Sequence, residues 1–257
     1  MKPTTHSPIG VFDSGVGGIS VLKELCALLP AEDFIFFGDS KNAPYGVRSA
    51  EEVCRLSCLA AERLLKQDCK ELVIACNTAS AIAADTLRCE YPDLPVVAIE
   101  PALKPAVLAH PGGNILLMAT PLTLKTPRFG SLAQRFEEQA NTHKLACPGL
   151  VELIEEGHLE DEILMEKLKD LFSDLSFTPD AVVLGCTHYP HIRGALRRYF
   201  GETVPLYDGG QGTARRAKEL LEERGLLREN GTEGTVTITT SSDDPAISLL
   251  ARRLLRA

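Results

Sequence analysis

Cys76 and Cys186 each end a short apolar run and precede small polar residues: Leu72-Val73-Ile74-Ala75-Cys76-Asn77-Thr78 and Val182-Val183-Leu184-Gly185-Cys186-Thr187-His188. The two segments echo each other about 110 positions apart. A thiol ionises near pH 8.5, roughly, so thiol and thiolate are both accessible close to neutrality, which suits a group that must give and take protons. A lone cysteine says little, because cysteine in a reducing compartment is mostly a small buried apolar residue. Repetition at equivalent places says more. On these residues alone two readings stand: a duplicated packing cysteine, or a matched pair of reactive thiols.

Other chemistry-bearing residues end further apolar runs. Asp13-Ser14-Gly15-Val16-Gly17-Gly18 and Ala119-Thr120 form a second echo, about 106 positions apart. The glycine run is Gly-x-Gly-Gly, a poor dinucleotide fingerprint, and by itself reads equally as a tight strand–helix turn. Glycines let backbone approach a ligand, helix N-termini offer free N–H groups, and Asn, Ser and Thr add neutral donors. That set suits a ligand carrying carboxylates. His188, two residues past Cys186, is suited to pair with a thiolate or manage its proton. A helix N-terminus after each cysteine is expected to lower its thiol pKa. Cys26, Cys54, Cys58, Cys69 and Cys89 lie within or beside helical runs and read as packing. With no Cys-x-x-Cys pair, zinc-ribbon and thioredoxin readings lack their spacing.

These residues need elements to hold them. Ile9–Phe12, Phe34–Phe37, Leu72–Ala75, Val96–Ile99, Ile115–Met118, Leu145–Ala146, Ala181–Leu184 and Val236–Thr239 read as buried strands. Amphipathic segments alternate with them, such as Ile19–Leu29, stopped by Pro30, and a helix after Ser49, where Ser49 and Glu52 have capping-box spacing. Strand–helix alternation predicts an α/β fold of mostly parallel sheet flanked by helices. The echoes divide it into two similar lobes, residues 1–98 and 99–209, with 210–257 packing back on the first. In such sheets ligands bind beyond the carboxyl ends of strands, where the cysteines fall.

Composition excludes several classes. Lys and Arg number 27 against 35 Asp and Glu, a net charge of −8. No clustered basic face advertises nucleic-acid binding. No apolar run approaches the roughly 20 residues of a membrane span, and the first residues lack a signal-peptide core, so a cytoplasmic location is expected.

The motifs together resemble those of the glutamate racemases, and in the same order over essentially the whole chain. Asp13-Ser14-Gly15-Val16-Gly17-Gly18, Gly38-Asp39-Ser40 followed by Pro44-Tyr45-Gly46, Ala75-Cys76-Asn77-Thr78-Ala79-Ser80, and Leu184-Gly185-Cys186-Thr187-His188-Tyr189-Pro190 carry the likeness. The resemblance implies an active site between two lobes, with Cys76 and Cys186 as acid/base catalysts on opposite faces of glutamate. It implies that Asp13 assists Cys76 and His188 assists Cys186. Asp13, Ser14, Tyr45, Gly46, Asn77, Thr78, Thr120, Thr187 and His188 fall where that family holds substrate, and Glu155 where it has a further acidic assistant. Ala119 stands where glycine is usual, and Leu150 and Glu152 replace an aromatic residue and a proline, which weakens the Glu155 assignment alone. Aspartate and hydantoin racemases are the nearest rivals; His188, directly after Cys186-Thr187, favours glutamate, since the aspartate racemases have an acidic residue there. The resemblance further implies no cofactor and no metal, D-glutamate supply for peptidoglycan, and a homodimer as an open alternative to a monomer. Some members bind DNA gyrase, and no residue here bears on that.

Two thiols suit such a reaction. The enantiomers have equal free energy in water, so the base in one direction must be the acid in the other. General acid/base catalysis contributes about 10²–10⁴-fold. The rest must come from a closed, dry site whose donors stabilise the developing carbanion. Pyridoxal phosphate is the alternative electron sink, but Lys104 and Lys125 have no distinctive Schiff-base context.

Overall fold

The computed structural model describes residues 3–228 and 232–257. Its first part runs β1 (Ile9–Asp13), α1 (Ile19–Leu28), β2 (Phe34–Gly38), α2 (Ala50–Leu65), β3 (Glu71–Ile74), α3 (Asn77–Glu90) and β4 (Val96–Ala98). Next come α4 (Leu103–Ala109), β5 (Asn114–Ala119), α5 (Pro121–Lys125), α6 (Pro127–Gln134), β6 (Asn141–Ala146), α7 (Leu150–Glu155), α8 (Glu162–Leu171), β7 (Ala181–Leu184), α9 (Arg193–Phe200) and β8 (Leu206–Asp208). The chain closes with α10 (Gly210–Glu223), β9 (Val236–Thr240) and α11 (Pro245–Arg256).

The strands form two sheets, ordered β4-β3-β1-β2-β9 and β6-β5-β7-β8, with every pairing parallel. Read backwards, the second is β8-β7-β5-β6, the order of the first four strands of the other sheet. The echo in the sequence is therefore a repeat of topology: β1 corresponds to β5 and β3 to β7. β9 adds a strand beside β2 and has no counterpart.

Parallel strands covered on both faces are apolar throughout, and their alternation decides which core each side chain enters. Ile9, Val11, Val73 and Ala75 face α1, α10 and α11, whereas Phe12, Leu72 and Ile74 face α2 and α3. In the second sheet Leu116, Met118, Val182 and Leu184 enter one core, and Ile115, Leu117 and Val183 the other. Two leucines cross between the halves. Leu122 packs into the core under α2 and α3, and Leu159 touches a core of each sheet.

The α/β reading and its eight expected strands are present, with two differences. β6 starts at Asn141 rather than Leu145; its half-exposed residues Asn141 to Lys144 give no apolar signal. β8 was not expected, being a three-residue edge strand with every residue partly exposed.

Candidate active site

Matching hydrogen bonds fix where both cysteines emerge. The Ala75 N–H donates to the Phe12 carbonyl at 2.8 Å, and the Gly185 N–H to the Met118 carbonyl at 2.8 Å. Each cysteine thus leaves its sheet beside the neighbouring strand that ends in Asp13-Ser14 or Ala119-Thr120.

Cys76 caps α3, its Sγ accepting the Ala79 N–H at 3.4 Å. Ser14 Oγ lies 3.6 Å from the sulfur. Asp13 is fully buried; it accepts the Gly15 N–H at 2.9 Å and the Thr187 hydroxyl at 2.9 Å. Burial holds the Asp13 carboxyl above its usual range despite those donors and the nearby His188. The expected lowering of the Cys76 pKa is overturned. Burial, reinforced by Asp13, pushes this thiol up to about 12, and the Ala79 and Ser14 contacts offset only part of that. A helix end supplies one weak N–H contact; removal from water acts on the whole charge.

Cys186 is not at the start of an α-helix. The chain turns through a short 3₁₀ segment, Tyr189–Ile192, before α9 begins. Its sulfur instead faces His188 Nδ1 at 3.7 Å. His188 Nε2 meets Glu155 Oε1 at 2.6 Å, and the Val16 N–H donates to the same oxygen at 2.7 Å. Burial favours a neutral ring, but Cys186 and Glu155 outweigh it and hold the His188 pKa well above its usual value. That direction favours the imidazolium. Gly15 and Gly17 are required by this approach: a Cβ on Gly15 would stand 1.9 Å from Glu155 Oε1, and one on Gly17 2.3 Å from His188 Nδ1.

Neutral donors complete the surroundings. The Thr78, Thr120 and Thr123 hydroxyls form a triangle with sides of 3.1, 2.9 and 2.8 Å. Gly46 lies against Thr120, where a Cβ would meet the threonine Cβ at 2.4 Å. Tyr45 donates its hydroxyl to Asp39 at 2.7 Å. Asn77 Oδ1 is buried without a partner. Cys76 and Cys186 are 5% and 7% exposed, and Asp13, Ser14, Tyr45, Asn77, Thr78, Thr120, Thr187 and His188 are buried too; Gly46 likewise, while Glu155 is partly exposed. A cavity of ≈ 1080 Å³ between α4 and α10 shares no residue with these groups.

Thr123, Asp39, Ser20 and His191 also belong to these surroundings, although sequence reasoning assigned them no part. Thr120-x-x-Thr123 spacing, with Thr120 capping α5, was the available signal for Thr123. Cys147 is buried near Cys186, and burial pushes its thiol up to about 12. Among the described residues no group of three or more His, Cys, Asp or Glu side chains converges as a metal site, and no helix is long and apolar enough to cross a membrane.

Comparison with known proteins points to one family. The model of the Asp/Glu/hydantoin racemases matches residues 9–217. The glutamate racemase of Clostridium acetobutylicum is 47% identical over 97% of this chain and 98% of its own. The glutamate racemase of Francisella tularensis, solved with D-glutamate, superposes with a TM-score of 0.84 at 28% identity, covering 98% of this chain and 95% of that one. That of Escherichia coli, solved with L-glutamate and the activator UDP-MurNAc-Ala, does so with a TM-score of 0.84 at 31% identity, covering 97% and 95%.

Proposed function

This chain belongs to the Asp/Glu/hydantoin racemase family, and from that premise we propose that it interconverts L- and D-glutamate with Cys76 and Cys186 as its two acid/base groups. One observation carries the reading: two buried thiols at equivalent ends of repeated sheets, close enough for the charge of Cys186 to bear on Cys76. The relatives solved with L- and with D-glutamate support the substrate.

The surroundings suggest how the protons are arranged. In the L-to-D direction Cys186, 3.7 Å from His188, must act as base and Cys76 as acid, and burial with Asp13 pushes the Cys76 thiol up to about 12. The Cys186 thiolate takes the α-proton of L-glutamate and becomes a thiol. The C–H electron pair stays on the α-carbon. The Cys76 thiol then delivers its proton to the opposite face and becomes a thiolate. D-glutamate deprotonation runs the same steps backwards. Once product leaves, the Cys186 thiol gives its proton to solvent, the charge that Glu155 favours on His188 offsetting that of the thiolate, and Asp13 relays one proton from solvent to the Cys76 thiolate. Ser14, Gly46, Asn77, Thr78, Thr120 and Thr187 hold the carboxylates and the developing negative charge, in a site where water no longer competes. Tyr45, its hydroxyl bonded to Asp39, lines the substrate site beside Gly46.

Residues 1–98 with 210–257, and 99–209, are the two lobes whose closure forms the site. Two thiols supply both base and acid, so the reading includes neither cofactor nor metal, and places the protein in the cytoplasm, supplying D-glutamate for peptidoglycan. Incubation with L-glutamate in D₂O, followed by NMR of the α-proton, tests it. The signal should vanish as deuterated D-glutamate forms; this exchange should survive exhaustive chelation and should stop on thiol alkylation unless glutamate protects. A comparable kcat/KM on aspartate would sink the substrate assignment.

A further inference from the structure

Thr187, directly after Cys186, has a carbonyl with no local donor. The N–H three residues on would close its turn, but that residue is Pro190, which has none. The His191 N–H goes to the His188 carbonyl instead, at 3.1 Å. A buried carbonyl left unmatched is costly, so a donor must come from elsewhere.

Ser20, in the first turn of α1 on the other sheet, reaches it. Its hydroxyl oxygen lies 2.9 Å from the Thr187 carbonyl and 2.9 Å from that of Gly17, with one proton to give. The Gly17 carbonyl has two lone pairs. It already takes the Ser20 N–H at 3.0 Å and the ring of His191 at 3.1 Å. A carbonyl only accepts, so His191 carries its proton on Nε2 here. Gly17 is therefore satisfied, and the Ser20 O–H is free for Thr187. The Thr187 side chain is held from the same direction, by Asp13 at 2.9 Å.

We infer that Ser20 is a positioning residue for Cys186: its hydroxyl clasps the Thr187 carbonyl across the lobe boundary and sets where the Cys186 sulfur meets the α-carbon. His191 makes this possible by occupying Gly17. The inference rests on the two-thiol reading and adds a direction to it. Loss of the clasp raises the barrier at the Cys186 face and leaves the Cys76 face alone.

That direction is measurable. L- and D-glutamate are equal in free energy, so any variant must change kcat/KM equally in both directions. Isotope effects are free of this constraint. If the Cys186 step becomes more limiting, the α-deuterium effect on kcat/KM rises for L-glutamate, whose C–H bond Cys186 breaks. It falls for D-glutamate, whose C–H bond Cys76 breaks. Ser20→Ala should lower kcat/KM about tenfold, the size of one lost hydrogen bond, and split the isotope effects in that sense. Ser20→Thr, which keeps the hydroxyl, should restore both. A Ser20→Ala enzyme with native isotope effects, effects that move together, or a Ser20→Thr enzyme no better than Ser20→Ala would overturn the clasp while the two-thiol reading stood. A native protein that does not racemise glutamate would overturn both.

Discussion

The surroundings of Cys76 and Cys186 are alike in fold and opposite in charge. Both cysteines follow a buried strand at the same slot of a repeated sheet, and both are nearly sealed from water. Cys76 faces a carboxyl group, and its sulfur takes one long N–H contact from Ala79. Cys186 faces the His188 ring, whose pKa Glu155 helps to raise. Racemisation asks for two chemically equivalent groups; the protein supplies equivalent side chains and then makes them unequal. Cys76 lies beside a carboxyl group that disfavours its thiolate, and Cys186 beside a ring whose raised pKa favours positive charge. The fold repeats because the task is symmetric. The charges differ because a base and an acid are needed at the same moment.

Removing either thiol attacks the symmetric half of this account. Cys76→Ser and Cys186→Ser should each lose racemisation by about 10³-fold or more, since serine at neutral pH is neither an effective base nor acid. Equal, near-native rates from either would break the comparison outright.

The asymmetric half is tested next. Asp13→Asn and His188→Asn should each lower kcat/KM by about 10²-fold, within the range ascribed to general acid/base groups. Their signatures should be mirror images. Asp13→Asn should raise the α-deuterium effect for D-glutamate, and His188→Asn should raise it for L-glutamate. Identical signatures would mean that the two surroundings act as one.

A smaller effect, about tenfold, is expected from Glu155→Gln. Glu155 helps hold the His188 pKa above its usual value, so the imidazolium persists until the pH passes that raised value. Without the carboxylate the pKa falls, and the alkaline limb of kcat/KM should move to lower pH. A pH profile unchanged in this variant would remove Glu155 from the site's electrostatics. Smallest should be Thr123→Val, which deletes one hydroxyl of the threonine triangle. It should raise KM by about fivefold or less and spare kcat, as for a single hydrogen bond.

Parts of this were legible in the sequence for stated physical reasons. Buried parallel strands are apolar throughout, so the runs ending at Cys76 and Cys186 announced themselves, and their echo foretold a true repeat of strand order. β8 was invisible because an exposed three-residue edge needs little apolar character. The direction of the Cys76 shift was missed because a helix N-terminus is local and readable, whereas desolvation is a property of the packed whole. The seam was missed for a similar reason. Thr78 meets Thr123 across 45 positions and Ser20 meets Thr187 across 167, with no spacing rule to signal either. Glu155 was readable only by resemblance, through altered neighbours, yet its carboxylate stands 2.6 Å from His188.

The most direct test separates the two faces by giving the α-carbanion an exit that needs no second thiol. A threo-chloroglutamate can expel its β-chloride after a single deprotonation, so one working base suffices. Cys76→Ser, which keeps Cys186, should eliminate chloride from the L form and leave the D form untouched. Cys186→Ser should do the reverse. If both variants prefer the same enantiomer, or either processes both forms equally, the two thiols do not work on opposite faces and the account is wrong.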